Sequence, residues 1–277
     1  MINGNTRLIA HIGYPTTTFK SPMIYNPWFD RRGINAVVIP MGVTSENFAG
    51  AFPEICRLTN FHGALITMPH KISVIDFLDE TSTAVKVAGA CNAVRRRDDG
   101  GLIGDMFDGE GFVRGVAHNG GALRGKRLLV VGAGGVGSAI AASSAAAGAA
   151  AIALFDVSGA AMATLADRLK SNYPNLQVLT GSNDPSGYDV VVNATPLGMK
   201  PGDPMPVEVA RLSPSTYVGE VVLKQETTAF LAAARARGCV TQVGVDMLFE
   251  QIPAYLEFFG FPATDADELR QVAKIDY

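Results

Sequence analysis

The chain has 277 residues, 48% of them apolar, a net charge of −3 and three cysteines, which is enough for one or two domains with full cores. The longest basic block, Arg95-Arg96-Arg97, runs straight into Asp98 and Asp99, so no nucleic-acid partner is expected. Cys56, Cys91 and Cys239 lie far apart without CxxC or Cys/His ligand spacing, which argues against a disulfide framework and a metal site and fits a reducing cytoplasm.

The first residues, MINGNTRLIAHIG, lack the basic region and long apolar core of a signal peptide. LIAHIG (8–13) reads as a strand. Ser21-Pro22 offers an N-cap with proline at the first helical position. NAVVIP (35–40) is a second strand. Residues 44–58 open on an approximate capping box and carry Phe48, Phe52 and Ile55 at helical spacing. GALIT (63–67) is a third strand, and this β-α-β-α-β order predicts a parallel sheet.

Residues 91–105 read as a hairpin turning at Asp98-Asp99-Gly100-Gly101. A connecting helix follows over 108–118. A second α/β series starts at Arg127, with strands RLLVVG, AAIALFD, LQVLT, YDVVVNAT and TYVGEVV. Residues 139–155 contain Ser143, Ser144 and Gly148 and split into a small-residue helix and a strand, so no membrane span is expected. Residues 228–237 are helical, ended by Gly238, and 246–259 form a last amphipathic helix before Gly260 and Pro262. Two α/β series imply two domains, and a cleft between domains is a common ligand site.

RLLVVGAGGVGSAIAAS places Gly132, Gly134 and Gly137 in G-x-G-x-x-G spacing after an apolar strand and at the start of a small-residue helix. That context marks a dinucleotide fingerprint. Gly132 allows the tight turn, Gly134 the approach of a pyrophosphate, and Gly137 close packing of helix on sheet. The next strand ends at Asp156, near the spacing of a ribose-binding carboxylate. A carboxylate there repels a 2′-phosphate and no arginine follows it, so the expected cofactor is NAD rather than NADP. The alternative for Asp156 is a helix cap, a task Ser158 can also perform.

The segments GALITMPHK (63–71), GACNA (89–93), GDMFDGEGF (104–112), NATPLGM (193–199) and GVDMLFEQ (244–251) accompany this unit in the order found in shikimate dehydrogenases. The chain resembles that family over almost its whole length. The resemblance implies an α/β fold with an N-terminal substrate domain (1–107), a Rossmann domain (108–245) and a C-terminal helical segment (246–277) returning to the first domain. It implies a cytoplasmic NAD-dependent dehydrogenase of shikimate, quinate or a related ring hydroxy acid, acting as a monomer or homodimer in aromatic amino acid biosynthesis or quinate use. Lys71 and Asp108 match the catalytic pair. Oxidising a secondary alcohol needs a base for the hydroxyl proton while hydride leaves carbon, and a lysine serves if its environment suits. Thr67, Asn92 and Gln251 match positions that bind substrate hydroxyls, and Ser21 matches one serine of a carboxylate-binding S-x-S-P segment. Gly132, Gly134, Gly135, Val136, Gly137 and Asp156, with Asn193, Ala194, Thr195, Gly244 and Met247, match the cofactor site. His70 is expected to point away from the chemistry.

Three positions depart from the family pattern. Phe19 replaces the first serine of S-x-S-P, Leu65 replaces an asparagine, and Leu223 replaces a tyrosine. Each change removes a polar group from the expected pocket. A buried hydrogen bond contributes about 0.5–1.5 kcal/mol net, so three losses weaken shikimate binding by a few orders of magnitude unless Thr16, Thr17, Thr18 or Lys20 compensate. The expectation is retained machinery with an altered substrate. A non-catalytic NAD- or metabolite-binding regulator is the alternative from another class, since fold alone does not establish chemistry.

Overall fold

The structure is a computed structural model describing residues 2–223 and 227–275. It divides into two compact units. The first takes the described residues up to Val85, Ala90–Phe107 and those from Ile252 on; the second takes Lys86–Gly89 and Asp108–Gln251.

The first unit is built on β1 (Arg7–Gly13), α1 (Pro22–Arg32), β2 (Ala36–Gly42), α2 (Ser45–Cys56), β3 (Phe61–Ile66), β4 (Glu80–Thr81), the start of α3 (Thr83–Ala88), β5 (Ala93–Arg96) and β6 (Leu102–Asp105). Its sheet runs β2-β1-β3-β5-β6-β4. β1 pairs in parallel with β2 and β3, whereas β5 is antiparallel to both β3 and β6. The sheet is therefore mixed: the β-α-β-α-β reading gives its parallel part and the hairpin at Asp98–Gly101 its antiparallel part. Pro40 sits in β2, at the sheet edge where its missing N–H costs no ladder bond. Trp28, Tyr25, Phe29 and Ile24 of α1 are fully buried.

Ser21 precedes α1, but its backbone is already helical (φ −53°, ψ −44°) and its side chain makes no cap bond. The expected side-chain cap fails because capping needs an extended residue whose oxygen reaches back over the first turn. Thr44 is extended, yet its hydroxyl accepts from Asn47 Nδ2 (3.2 Å) instead of a backbone N–H.

The second unit contains α4 (Asp108–His118), β7 (Arg127–Val131), α5 (Gly135–Ala146), β8 (Ala151–Phe155), α6 (Gly159–Asn172), β9 (Gln177–Thr180), β10 (Val190–Asn193), β11 (Tyr217–Glu220), α7 (Ala229–Ala236), β12 (Val240–Gln242) and the first half of α8 (Gly244–Phe258). All six strands are parallel, in the order β12-β11-β10-β7-β8-β9. This is the doubly wound order, with the switch point between β7 and β10. Leu128 and Val130 pack with Ile140 and Leu165 on one face, and Leu129 and Val131 pack with Phe230 and Leu231 on the other. Both faces are covered, which is why these strands read as unbroken apolar runs.

From Ile252 the chain belongs to the first unit again. There α9 (Ala266–Val272) lies on α1, Phe261 packs on Phe29 with ring centroids 5.0 Å apart, and Arg32 makes a two-point bond to Glu268 (2.8 and 2.6 Å). Among the described residues no helix is long and apolar enough to cross a membrane.

Candidate active site

β1 and β3 end side by side, and the residues just past them are tied together. Thr67 N–H donates to the Ile12 carbonyl and Tyr14 N–H to the Met68 carbonyl, both at 2.9 Å. A Cβ on Gly13 would lie 2.3 Å from Thr67 Cγ2, 2.7 Å from the Met68 oxygen and 3.0 Å from Phe19 Cζ. Only glycine lets Thr67 and Phe19 close over the end of β1.

Phe19 lies face to face on His11, with centroids 3.9 Å apart and planes 22° apart. His11 is 6% exposed, and its Nδ1 has no hydrogen-bond partner among the described residues. Burial, and then the charge of Lys71, push this imidazole down to about 3, so it is neutral at physiological pH. Lys71 is half-buried, and its carbonyl accepts the Cys91 N–H at 2.7 Å. Its neighbour His70 is a core residue: it is 1% exposed, its Nε2 is 2.6 Å from the Val43 oxygen, and its ring stacks on Phe48 at 4.1 Å.

Asn92 is 1% exposed, and its Oδ1 accepts the Phe107 N–H at 2.9 Å. Its carbonyl accepts from Ile66 N–H (2.8 Å) and from the Tyr255 hydroxyl (3.3 Å). The residue thus fixes the β3 end to its surroundings. Ser21 and Thr67 are half-buried. Leu65 is buried within β3 as the register partner of His11, and Leu223 follows β11 half-buried.

The second unit carries the glycine turn at its switch point. Gly132 has φ +109°, and a Cβ there would lie 2.7 Å from the Ala194 oxygen; a Cβ on Gly137 would lie 1.9 Å from the Gly132 oxygen. Gly134 is the exposed N-cap of α5, with nothing within 4 Å of an added Cβ. Open backbone ahead of a helix N-terminus suits a pyrophosphate, through unpaired N–H groups and the helix dipole. These residues, with Gly135 and Val136 in the first turn of α5, fit a dinucleotide.

Ala194 and Thr195 lie across the switch point from Gly132. Asn193 is 1% exposed and its side chain bonds to the following loop: Oδ1 accepts from Thr195 N–H (3.1 Å) and the Thr195 hydroxyl (2.6 Å), and Nδ2 donates to the Leu197 carbonyl (2.9 Å). Gly244 opens α8, where a Cβ would lie 2.3 Å from the Val222 oxygen, and Met247 is packed in the core of this unit. Asp108 is buried in the first turn of α4. Gln251 is buried, and its Oε1 has no hydrogen-bond partner among the described residues.

Buried ionisable groups also escaped the sequence reading, and two of them stand out. One is His11, whose signal is a lone polar residue inside the apolar run LIAHIG. The other is Glu220 at the end of β11, fully buried, accepting from the Thr228 hydroxyl at 2.8 Å; burial pushes its carboxyl up to about 7.

Residues 11–94 match the family model of the shikimate dehydrogenase substrate binding domain. A shikimate dehydrogenase (NADP(+)) of Rubrobacter xylanophilus is 34% identical over 254 residues, covering 90% of this chain and 89% of its own. Among solved structures, the ligand-free 5-ketofructose reductase of Gluconobacter sp. strain CHM43 is 28% identical, with a TM-score of 0.87 and 98% of each chain covered. A shikimate dehydrogenase in complex with NADP+ is 26% identical, with a TM-score of 0.89, covering 99% of this chain and 98% of that one.

The expected preference for NAD is overturned by these relatives, one named for NADP(+) and one solved with NADP+. The physical reason lies in Asp156. Its Oδ2 accepts the Ala133 N–H (2.6 Å) and its Oδ1 the Ser158 N–H (2.7 Å). It braces the glycine turn and the loop after β8, so its presence does not report the ribose, and Ser158 caps α6 through Ala161 N–H. With a relative at 34% identity along nine-tenths of both sequences, the chain belongs to the shikimate dehydrogenase family of pyridine-nucleotide-dependent oxidoreductases.

Proposed function

We propose that this protein interconverts a secondary alcohol and its ketone on a polyhydroxylated substrate, with NADP(H) as the nucleotide. The observation that carries the reading is the near full-length similarity to a shikimate dehydrogenase (NADP(+)). Shikimate and quinate are the substrates that the family resemblance names first; the Gluconobacter relative is named for an uncharged ketosugar, which widens the class within the same chemistry.

The nucleotide, when bound, exchanges a hydride with the substrate carbon. The first unit holds the substrate and the Rossmann unit the nucleotide. In the first unit, Lys71 takes the hydroxyl proton on oxidation and returns it on reduction. Asp108 is the second member of the catalytic pair that the family resemblance names. Thr67 and Asn92 bind hydroxyls, and the family resemblance gives Gln251 the same task. Gly132, Gly134, Gly135, Val136 and Gly137 cradle the pyrophosphate, while Asp156, Asn193, Ala194 and Thr195 shape the walls beside it, and Gly244 and Met247 set the start of α8.

Turnover by purified protein and by Lys71→Ala tests this reading. Wild type is expected to change nicotinamide absorbance with an alcohol or ketone of this class, and Lys71→Ala to bind the nucleotide equally well while losing turnover. Equal rates for the two proteins would refute the role of Lys71.

A further inference from the structure

Proton chemistry does not require an aromatic stack at the end of β1. Phe19 and His11 lie face to face at 3.9 Å, Phe19 and Thr67 both reach the position that a Gly13 side chain would fill, and the charge of Lys71 acts on His11. These four residues form one cluster, and its wall is a half-buried phenyl ring backed by a buried imidazole.

The face of the phenyl ring itself receives an anion poorly. A carboxylate leaving water needs donors in place of its hydration, and the face of an aromatic ring presents negative charge to it. The imidazole behind the ring does not supply a compensating cation, because burial and Lys71 hold it neutral. Of the neighbouring hydroxyls, those of Thr17 and Thr18 are on exposed residues of the short turn Thr16–Thr18, and the Thr16 methyl would lie 3.3 Å from a Cβ on Gly42. The C–H face of an uncharged polyol, by contrast, loses little on leaving water and packs on the ring.

We propose that the Phe19–His11 stack makes this site select an uncharged polyhydroxylated ketone or alcohol over a ring carboxylate. Phe19 is then a specificity-determining residue and His11 a positioning residue that fixes the ring plane. The proposal rests on the dehydrogenase reading above and narrows its substrate class.

The test is a ratio. The kcat/KM for reduction of 5-ketofructose is compared with those for the ketone forms of shikimate and quinate, in wild type, Phe19→Ser and Phe19→Leu, with folding checked by circular dichroism. Wild type is expected to favour the uncharged ketone by roughly a hundredfold or more. Phe19→Ser, which restores a hydroxyl and opens space, shifts the ratio toward the carboxylates by roughly tenfold to a hundredfold, the range for one hydrogen bond to a charged group. Phe19→Leu keeps the wall apolar and keeps the preference. Calorimetric titration of wild type with shikimate is expected to show no binding in the micromolar range, and this arm stands even if Phe19→Ser does not fold. Carboxylate ketones used as well as the uncharged one, or a folded Phe19→Ser with an unchanged ratio, would overturn the proposal while leaving the dehydrogenase intact. No turnover of either class with either nucleotide would instead overturn the dehydrogenase itself, and the proposal with it.

Discussion

Lys71 and His70 are adjacent in sequence and differ in every physical respect. His70 is sealed against Phe48 and the Val43 carbonyl, whereas Lys71 keeps part of its surface open and its charge acts on His11. Removing a positioned general base costs about 10²–10⁴ in rate, so Lys71→Ala is expected to lose kcat on that scale at unchanged nucleotide affinity, as read by steady-state kinetics and calorimetry. His11 makes a separate prediction. Its folded form binds a proton more weakly than the unfolded chain, so stability is present above pH 6.5 and falls as the pH drops toward about 3. In His11→Leu that acid-dependent loss disappears, and the difference in Tm between variant and wild type widens as the pH falls through this window. The T-x-P-x-K spacing singled out Lys71 in the sequence. His11 was not legible, because a polar residue in a strand looks the same whether it faces water or a phenyl ring. The choice of NAD drawn from Asp156 failed for a related reason: sequence shows a carboxylate at the right spacing but not which N–H groups already hold it.

At the scale of the element, the strand–glycine turn–helix unit was the most legible part of the chain, since its glycines answer to steric demands. The 1.9 Å between a Gly137 Cβ and the Gly132 oxygen leaves no room for a methyl group. Gly137→Ala is expected to push α5 off the sheet, costing about 1–3 kcal/mol, as overpacking does, and to weaken nucleotide binding; chemical denaturation and nucleotide titration check both. β12, β4 and α9 were not read from the sequence: they span three, two and seven residues, too few to show a period, and they form where neighbours offer a ladder or a groove. The end of β11 carries its own pH signature. Glu220 is kept protonated by burial, against the bonds from Thr228 and Asn193 and the charge of Arg235. Because its folded pKa is raised to about 7 from 4.5, the folded state holds a proton the unfolded chain gives up, and stability falls as pH rises through that window. Glu220→Gln removes the penalty, so its Tm relative to wild type is expected to climb between those pH values.

At the scale of the whole molecule, two α/β series could be read because strands and helices alternate with different periods. In the first unit the β-α-β-α-β order predicted a parallel sheet, and that the hairpin strands join this sheet and make it mixed was not read. The return of the C-terminal residues to the first unit was legible only through family resemblance, since the division falls inside α8 with no change of composition to mark it. The substrate is the least legible property, because it depends on how Phe19, His11 and Thr67 pack against one another and not on any motif. The measurement that bears most directly on the central claim is nicotinamide absorbance on mixing the purified protein and Lys71→Ala with NADP+ or NADPH and a panel of shikimate, quinate and uncharged polyol or ketone partners. An absorbance change in wild type with at least one partner, abolished in Lys71→Ala, is the expected result. Nucleotide binding without an absorbance change for any partner, or undiminished turnover in Lys71→Ala, would contradict it.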